Sequence, residues 1–310
     1  MEPYVCRLDE NIQAIARREL GEDARTREEA LAQFRDWLKT KPHIVARTDH
    51  QTLLRYLRGC KFNVDKAQMK LEMYYACKTV MPKLLINRNP FLPEIQAVLR
   101  LGLMVPLPGY DAEGRKVILA RLGAWDPKKH KPKDLLKAAS MLLDVLFMDE
   151  EQISVTGFVQ LHDLSGFSLK HASVLDVSLV KRVMTVWREA YPIRPKAVHY
   201  INTPAAFKPI FEVGKKFMKE KMKKRVFVHD TNMNALNKHI PASFLPKEYG
   251  GSKYSLAEVT EHWARRIEIY RKWFDEDEKY KMTDRKHALA LKKVKDVVSA
   301  SQSIKKLEID

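Results

Sequence analysis

Between residues 9 and 100 the apolar positions recur three and four residues apart, the spacing of helices that bury one face. Residues 53–57 and 67–75 show it clearly, and Gly59 and Pro82 interrupt it. The N-terminal third of the chain is therefore predicted to be a module of short helices.

From about residue 101 the pattern changes to short apolar runs rich in Val, Ile, Leu and Phe, which are typical of buried strands. The predicted strands are LGLMVPL (101–107), KVILARL (116–122), GFVQLHDL (157–164), AVHYIN (197–202) and RVFVHD (225–230). Segments of helical length lie between the later strands, at 133–151, 171–190 and 208–224. This alternation predicts an α/β fold with a mostly parallel sheet, and Asp111 and Gly114 predict a hairpin between the first two strands.

The predicted helix at 208–224 is amphipathic and strongly cationic. On a helical wheel Ile210, Phe211, Phe217 and Met218 share one side, while Lys221 and Arg225 fall towards that apolar side. Residues 206–225 contain eight Lys or Arg and two Glu, more unpaired charge than an ordinary solvated helix face needs. Pro209 predicts that the helix begins near Lys208, after a bent leader.

Composition limits the partners and the compartment. With 310 residues, 45% of them hydrophobic, the chain can bury a large core, and its net charge of +17 implies attraction to nucleic acid, an anionic membrane or an acidic protein. The three cysteines form no CxxC pair, which favours a reducing compartment. The first residues have no apolar signal core and no run reaches 18 uncharged apolar residues, so we expect a cytoplasmic protein.

Motifs of covalent chemistry are missing from the sequence. It has no GxSxG, GxxxxGK[ST], GxGxxG or HExxH motif, and its ten histidines are scattered, so neither a cofactor nor a metal site is predicted. Asp163 follows a predicted strand, where it is either the acceptor of an Asx-type turn or the carboxylate of an α/β hydrolase; the missing nucleophile favours the turn. His162 and His199 are predicted to be buried and hydrogen-bonded rather than catalytic.

Five stretches, in one consistent order, resemble the CRAL-TRIO lipid-binding family, which includes tocopherol and retinaldehyde carriers. They are LLRYLRGCKFNVDKA (53–67), VILARLGAWDPKK (117–129), GFVQLHDLSGFSLKH (157–171), AYPIRPKAVHYINTPAAFKPIF (190–211) and FLPKEYGG (244–251). The resemblance implies a helical module (1–95), a lipid-binding domain whose sheet floors an apolar cavity (96–275) and a charged helical tail (276–310). It also implies that the amphipathic helix is a mobile lid, beside which a membrane phosphoinositide triggers ligand exchange.

The resemblance also assigns residues by position. It places the ligand pocket at Leu136, Ala139, Leu143, Phe158, Val183, Val186, Trp187, Ile193, Val198, Ile210, Phe211, Phe217 and Met218. It places phosphoinositide contacts at Arg58, Lys61, Arg194, Lys196, Lys221 and Arg225.

Two departures from the family pattern affect these assignments. The family's Arg-Ala-Arg reads Arg58-Gly59-Cys60 here, with Lys61 following. Tocopherol carriers have serines where Ala139 and Leu143 stand, so the wall is drier and the ligand stays open among retinoids, tocopherols, carotenoids and juvenoids.

The function expected from these features is that of a monomeric carrier for one hydrophobic small molecule, without enzymatic activity. A phospholipid or phosphatidylinositol transfer protein of the same fold and a hydrolase using Asp163 remain alternatives. Nucleic-acid binding is disfavoured, because Phe211 and Phe217 are predicted to face inward and no nucleic-acid module is recognisable.

Overall fold

The computed structural model describes residues 4–175, 177–291 and 294 of the chain. Its α-helices are α1 (Glu10–Leu20), α2 (Ala24–Lys39), α3 (His50–Gly59), α4 (Val64–Val80), α5 (Pro82–Leu85), α6 (Pro93–Arg100), α7 (Pro132–Asp149), α8 (Gln152–Thr156), α9 (Leu169–Val174), α10 (Val177–Glu189), α11 (Lys208–Lys216), α12 (Glu220–Lys223), α13 (Met233–Asn237), α14 (Leu256–Ile269), α15 (Arg271–Asp277) and α16 (Arg285–Ala290). Its strands are β1 (Ile44–Val45), β2 (Met104–Pro106), β3 (Lys116–Arg121), β4 (Phe158–Asp163), β5 (Pro195–Ile201), β6 (Val226–Asp230) and β7 (Lys281–Met282).

The helices of the N-terminal module begin where the sequence provides capping side chains. The carboxylates of Asp23 and Asp49 and the amide oxygen of Asn63 accept hydrogen bonds from backbone amides in the first turns of α2, α3 and α4. The predicted helical N-terminal third is confirmed.

The central sheet has the strand order β2-β3-β4-β5-β6, in which β2 is antiparallel to β3 and the other pairs are parallel. The predicted α/β fold with a mostly parallel sheet is confirmed, and so is the predicted hairpin, which is formed by β2 and β3. The register places His162 beside Tyr200, and Leu161 beside His199. Because side chains alternate along a strand, His162 and Tyr200 lie on one face of the sheet and Leu161 and His199 on the other.

The largest core joins the sheet to helices on its surface. Leu119 and Leu161 of the strands, Leu146 of α7 and Trp263 and Ile267 of α14 are buried together in it. The indole N–H of Trp263 donates to the carbonyl of Pro106, 2.8 Å away, which holds α14 on the edge strand β2.

The helical module shares its core with later parts of the chain. Leu57 and Leu71 of the module pack in one cluster with Val186 of α10 and with Met282 and Ala288 of the C-terminal segment. Strand β7 also pairs with β1. The predicted tail therefore packs on the module as far as the structure describes it, and residues 295–310 lie outside the described residues.

A buried ion network fixes the module to the α/β domain. Arg88 donates to the carboxylates of Asp144 in α7 and Asp277 in α15, at 2.5 and 2.6 Å. Lys78 and Arg47 also donate to Asp277, at 2.5 and 3.0 Å. These nearby positive charges hold the pKa of Asp277 at about 2 against the effect of burial, which alone would raise it.

Candidate functional site

The amphipathic helix begins where the sequence predicted. A 3-10 turn at Ala205–Phe207 forms the bent leader, and α11 starts at Lys208 with Pro209 in its first turn. Proline fits there because a first-turn amide has no partner within the helix.

The same helix ends earlier than predicted. The amides of Phe217 and Met218 bond to carbonyls three residues back, and Lys219 is extended at ψ 150°, so the chain breaks before the separate turn α12. The prediction of one continuous helix to residue 224 is wrong at its C-terminal end. Lys221 lies in α12 and Arg225 just before β6, so neither belongs to the helix that carries the apolar face.

Helix α11 lies over an aromatic patch formed by Tyr200 of the sheet and Phe207 of the preceding turn. The Phe211 ring is 5.3 Å from the ring of Tyr200 in β5 and 5.9 Å from the ring of Phe207. The ammonium of Lys215 lies 5.4 Å from the Phe211 centroid and covers its outer side. No residue of α11 is fully buried, although the helix is strongly amphipathic. The helix therefore covers the sheet without becoming part of a close-packed core.

Several predicted lining residues contribute to the two larger cores. Leu143 and Phe158 are buried in the sheet core, and the partly exposed Trp187 and Ile193 pack against that core. Val186 belongs to the core shared with the helical module.

Other predicted lining residues lie closer to α11 or outside these cores. Val198 is buried in the patch beneath α11, to which Ile210 and Phe211 also contribute. Ala139 lines a cavity of about 20 Å³ between α6, α7 and α14, which has room for one water molecule. The remaining positions are partly exposed: Leu136, Val183, Phe217 and Met218.

His162 is a polar side chain on the sheet face that α11 covers. Its ring packs edge-on against Tyr200, with centroids 4.9 Å apart. Its Nδ1 is buried, and no group in the described part of the chain makes a hydrogen bond to it. Burial lowers the pKa of His162 to about 4, so the ring is neutral at pH 7. The prediction that this histidine is hydrogen-bonded is therefore wrong for Nδ1.

His199, on the other face of the sheet, is buried and hydrogen-bonded as predicted. Its Nδ1 lies 2.9 Å from Nε2 of His229, and its ring stacks on that of Phe227. Burial and the neighbouring His229 lower the pKa of His199 to about 3.

Three of the predicted headgroup residues form a cationic cluster where β5 begins. Arg194 and Lys196 flank Pro195, and the Arg225 guanidinium donates to the Pro195 carbonyl at 3.3 Å. Burial, together with the charges of the other two residues, lowers the pKa of Lys196. Because the three cations repel one another, a nearby negative charge would stabilise the cluster.

Glu19 of α1 provides a negative partner, which the sequence analysis did not identify. Its Oε2 accepts from Lys196 Nζ at 2.7 Å and from Arg194 Nη2 at 3.0 Å. Burial opposes ionisation of Glu19, but the bond from Lys196 and the charge of Arg194 outweigh it and lower its pKa. No local pattern marks Glu19, because the contact joins residues 175 positions or more apart.

Lys61 and Lys221 are both exposed. Within the described residues neither has an ion-pair partner. Lys61 follows α3, where Gly59 abuts Pro192 so closely that an added Cβ would lie 2.9 Å from the Pro192 carbonyl oxygen. The C-terminal end of α3 therefore lies close to the segment before β5 that contains Arg194.

Arg58, which the family resemblance assigns to the phosphoinositide contacts, lies in a buried ion network. Only 1% of its side chain is exposed, and it donates to both carboxylate oxygens of Glu22 at 2.8 Å and to Glu151 at 2.7 Å. These carboxylates raise the pKa of Arg58 against the effect of burial. All its donors face protein groups, so we leave Arg58 out of the cationic cluster.

Asp163 has the turn geometry that the sequence favoured. Its Oδ1 accepts from the amide and hydroxyl of Ser165 and from Asn202, at 2.7–2.9 Å, and Tyr249 donates to Oδ2 at 2.6 Å. Burial would raise the pKa of Asp163, but these donors lower it below the usual range. Both carboxylate oxygens already accept hydrogen bonds, which stabilise the ionised form. A general acid must carry a proton, so this environment does not suit that role.

A larger cleft of about 1060 Å³ lies elsewhere on the molecule, between the N-terminal residues, the start of α3 and the end of α7. Asp49, Asp149 and Glu151 line it, so it is polar and acidic. Among the described helices, none is long and apolar enough to cross a membrane.

Comparisons with known proteins match both parts of the fold. The family described as "CRAL/TRIO domain" matches residues 101–251, and "Pinta-like, UBA domain" matches residues 23–95. The human protein "Alpha-tocopherol transfer protein-like" is 36% identical over 83% of this chain and 75% of its own. Human "Clavesin-2" is 30% identical over 92% and 85%, and rat "Clavesin-1" is 34% identical over 76% and 67%.

Proposed function

The chain belongs to the CRAL/TRIO family, whose members are lipid-binding transfer proteins, and we propose that it is a cytoplasmic carrier that exchanges one hydrophobic small molecule at phosphoinositide-containing membranes. The proposal assigns headgroup binding and lid opening to residues 96–275. The helical module and the tail support this domain. No step of the cycle makes or breaks a covalent bond.

The observation that carries the proposal is the position of α11. Its apolar side, with Ile210 and Phe211, covers the aromatic patch, yet every residue of the helix keeps some exposure. A helix seated so loosely can leave the sheet at a smaller cost than one in a close-packed core. We assign the ligand to the interface between the sheet and α11, with α11 as its lid.

His162 provides one polar contact for that ligand. Its neutral imidazole has Nδ1 buried without a hydrogen-bond partner in the described residues, next to Tyr200. A buried polar atom gains when a ligand pairs with it. A hydroxyl or carbonyl at one end of the ligand fits this contact, and it replaces the serines that tocopherol carriers have at the positions of Ala139 and Leu143.

Apolar burial alone does not select the ligand. Enclosing about 400 Å² of apolar surface yields roughly 10 kcal/mol relative to water. Such a molecule comes from a membrane, however, where its surroundings are already apolar, so most of this free energy cancels in the exchange. Shape and the His162 contact then decide which lipid is taken up.

The membrane step uses the cationic cluster of Arg194, Lys196 and Arg225 together with the exposed Lys221. Arg194, Lys196, Lys221 and Arg225 together contribute about 4 kcal/mol at an anionic surface, at about 1 kcal/mol each, or about a thousandfold enrichment. In the closed protein Glu19 neutralises part of this charge. A headgroup phosphate competes with Glu19 for Arg194 and Lys196, and it carries more charge and more acceptor oxygens than one carboxylate.

Native mass spectrometry of protein purified from its source tissue tests the proposal. We expect one hydrophobic molecule with a single polar end per chain. A bound phospholipid supports the alternative of a phospholipid transfer protein of the same fold. Protein that carries no lipid, and takes up none from a tissue lipid extract, contradicts carriage.

A further inference from the structure

Three potential metal ligands converge between the helical module and the C-terminal segment. His43 precedes β1, Glu72 lies in α4 and His287 lies in α16. Nε2 of His43 and Nε2 of His287 lie 3.9 and 3.8 Å from the same Glu72 oxygen, Oε1. The two imidazole rings face each other with centroids 4.0 Å apart.

These contacts are too long to be hydrogen bonds, whose donor and acceptor lie within about 3.2 Å. The Glu72 side chain is only 15% exposed, and Nε2 of His43 is buried with no hydrogen-bond partner in the part of the chain described. Three polar groups thus face one another across a gap that none of them closes. A buried nitrogen such as His43 Nε2 is normally hydrogen-bonded, and an ion between the three groups would give each of them a partner.

We propose that His43, Glu72 and His287 bind one divalent transition-metal ion, with Zn²⁺ as the prototype. Two imidazole nitrogens and one carboxylate oxygen form a donor set that Zn²⁺ prefers, whereas Ca²⁺ and Mg²⁺ prefer oxygen ligands. The three ligand atoms all lie within 4.8 Å of one another. Ligand atoms around tetrahedral Zn²⁺ are about 3.3 Å apart, so small side-chain rotations complete the site, with water in the fourth position.

The backbone already holds the ligands in place. The carbonyl of His43 accepts from the amide of Thr283 at 2.8 Å, next to the pairing of β1 with β7. Asp284 caps α16 and accepts from the amide of His287 at 3.1 Å. Because these bonds fix the backbone of two ligand residues without the metal, only their side chains have to be ordered on binding. The bound ion would fasten α16 to α4. This role of the metal does not depend on the proposed lipid carriage.

Substitution of Lys41 can distinguish a metal site from a simple cluster of ion pairs. Its ammonium lies 3.9 Å from the same Glu72 oxygen that both histidines approach. A cation bound by Glu72 is therefore repelled by Lys41. Removing that charge with Lys41→Met should tighten metal binding several-fold, whereas an ion-pair cluster would lose one of its members and gain no metal affinity.

The full-length protein can be titrated with Co²⁺, followed by its visible absorption, and with Zn²⁺ by competition and by thermal unfolding. We expect one ion per chain, a higher Tm with Zn²⁺, and binding at least about tenfold weaker in His43→Ala and in His287→Ala. The side chain of His287 is 41% exposed, so its substitution leaves folding intact. His239→Ala is the control, since it alters the other histidine group, around His199.

The proposal is overturned if Zn²⁺ does not bind at micromolar concentrations. It is equally overturned if the two histidine variants bind as tightly as the wild type, or if binding is lost only in His239→Ala.

Discussion

Glu19 Oε2 lies 2.7 Å from Lys196 Nζ, so a carboxylate from the first helix of the module reaches the cationic cluster of the lipid-binding domain. The same oxygen also contacts Arg194. The carboxylate of Glu19 thus lies where we propose that the membrane phosphate binds. Membrane binding and release of this contact are therefore expected to be coupled.

Replacing Glu19 by Gln should strengthen binding to anionic vesicles. The substitution removes the competing charge and leaves Arg194 and Lys196 unpaired, which we expect to raise vesicle affinity about fivefold, or about 1 kcal/mol. Co-sedimentation with phosphoinositide vesicles at several salt concentrations measures it. Glu29→Gln is the matched control, because it makes the same charge change in an exposed pair with Arg25. Equal gains in both variants would mean that only net charge matters.

The residues at the C-terminal end of α11, the proposed lid, should affect the rate of lipid transfer more than the free energy of unfolding. Phe217 and Met218 are partly exposed and belong to none of the apolar clusters found in the described residues. We expect Phe217→Ala with Met218→Ala to cost less than about 1 kcal/mol of unfolding free energy but to slow lipid transfer several-fold. Phe211→Ala, which removes the contact with Tyr200, should cost more stability. Denaturant unfolding and a vesicle transfer assay measure the two effects, and unchanged transfer in the double variant would argue against a membrane role for these residues.

We expect Arg58 to contribute to the stability of the fold rather than to membrane binding. Arg58→Met leaves Glu22 buried with only Arg27 as an ionic partner, and it also removes the bond to Glu151. We expect a loss of about 3–5 kcal/mol in unfolding free energy. Arg25→Met, in an exposed pair, should cost less than about 1 kcal/mol. If Arg58→Met instead kept full stability and lost vesicle binding, Arg58 would belong to the headgroup site after all.

His162 should make the protein less stable as the pH falls. Its pKa is about 4 in the folded protein, below the value of about 6.5 expected in the unfolded chain. The unfolded state therefore takes up the proton first, and stability is lost from about pH 6.5 down towards pH 4. Between pH 7 and pH 5 this loss is about 2 kcal/mol, which His162→Phe should remove. Denaturant unfolding at the two pH values measures this loss. If His162→Phe kept the pH dependence of the wild type, His162 would not be the group that causes it. His262→Phe, at an exposed position, is the control.

The strands were predictable from the sequence because buried parallel strands are short continuous apolar runs, as in β3 and β5. The start of α11 was predictable because Pro209 restricts it. Its end was not, since Phe217 to Lys219 contain no Gly or Pro and the extended backbone at Lys219 depends on the surrounding fold.

Site residues that depend on long-range contacts were beyond local patterns. Arg58 matched a family motif, yet its partners Glu22 and Glu151 make it part of the buried framework. His43 and His287 are far apart in sequence, and long-range contacts such as the pairing of β1 with β7 bring them together.

The rate of lipid transfer between vesicles tests the central claim most directly. Protein loaded with its co-purified lipid is mixed with acceptor vesicles that contain either a phosphatidylinositol phosphate or phosphatidylserine at matched surface charge. We predict faster transfer to the phosphoinositide vesicles, and loss of this difference in Lys221→Glu with Arg225→Glu but not in the control Lys253→Glu with Lys272→Glu, two exposed lysines outside the cluster. Ligand binding in detergent should be retained in both variants. Equal transfer to both kinds of vesicle, or full transfer by the Lys221 and Arg225 variant, would contradict the account.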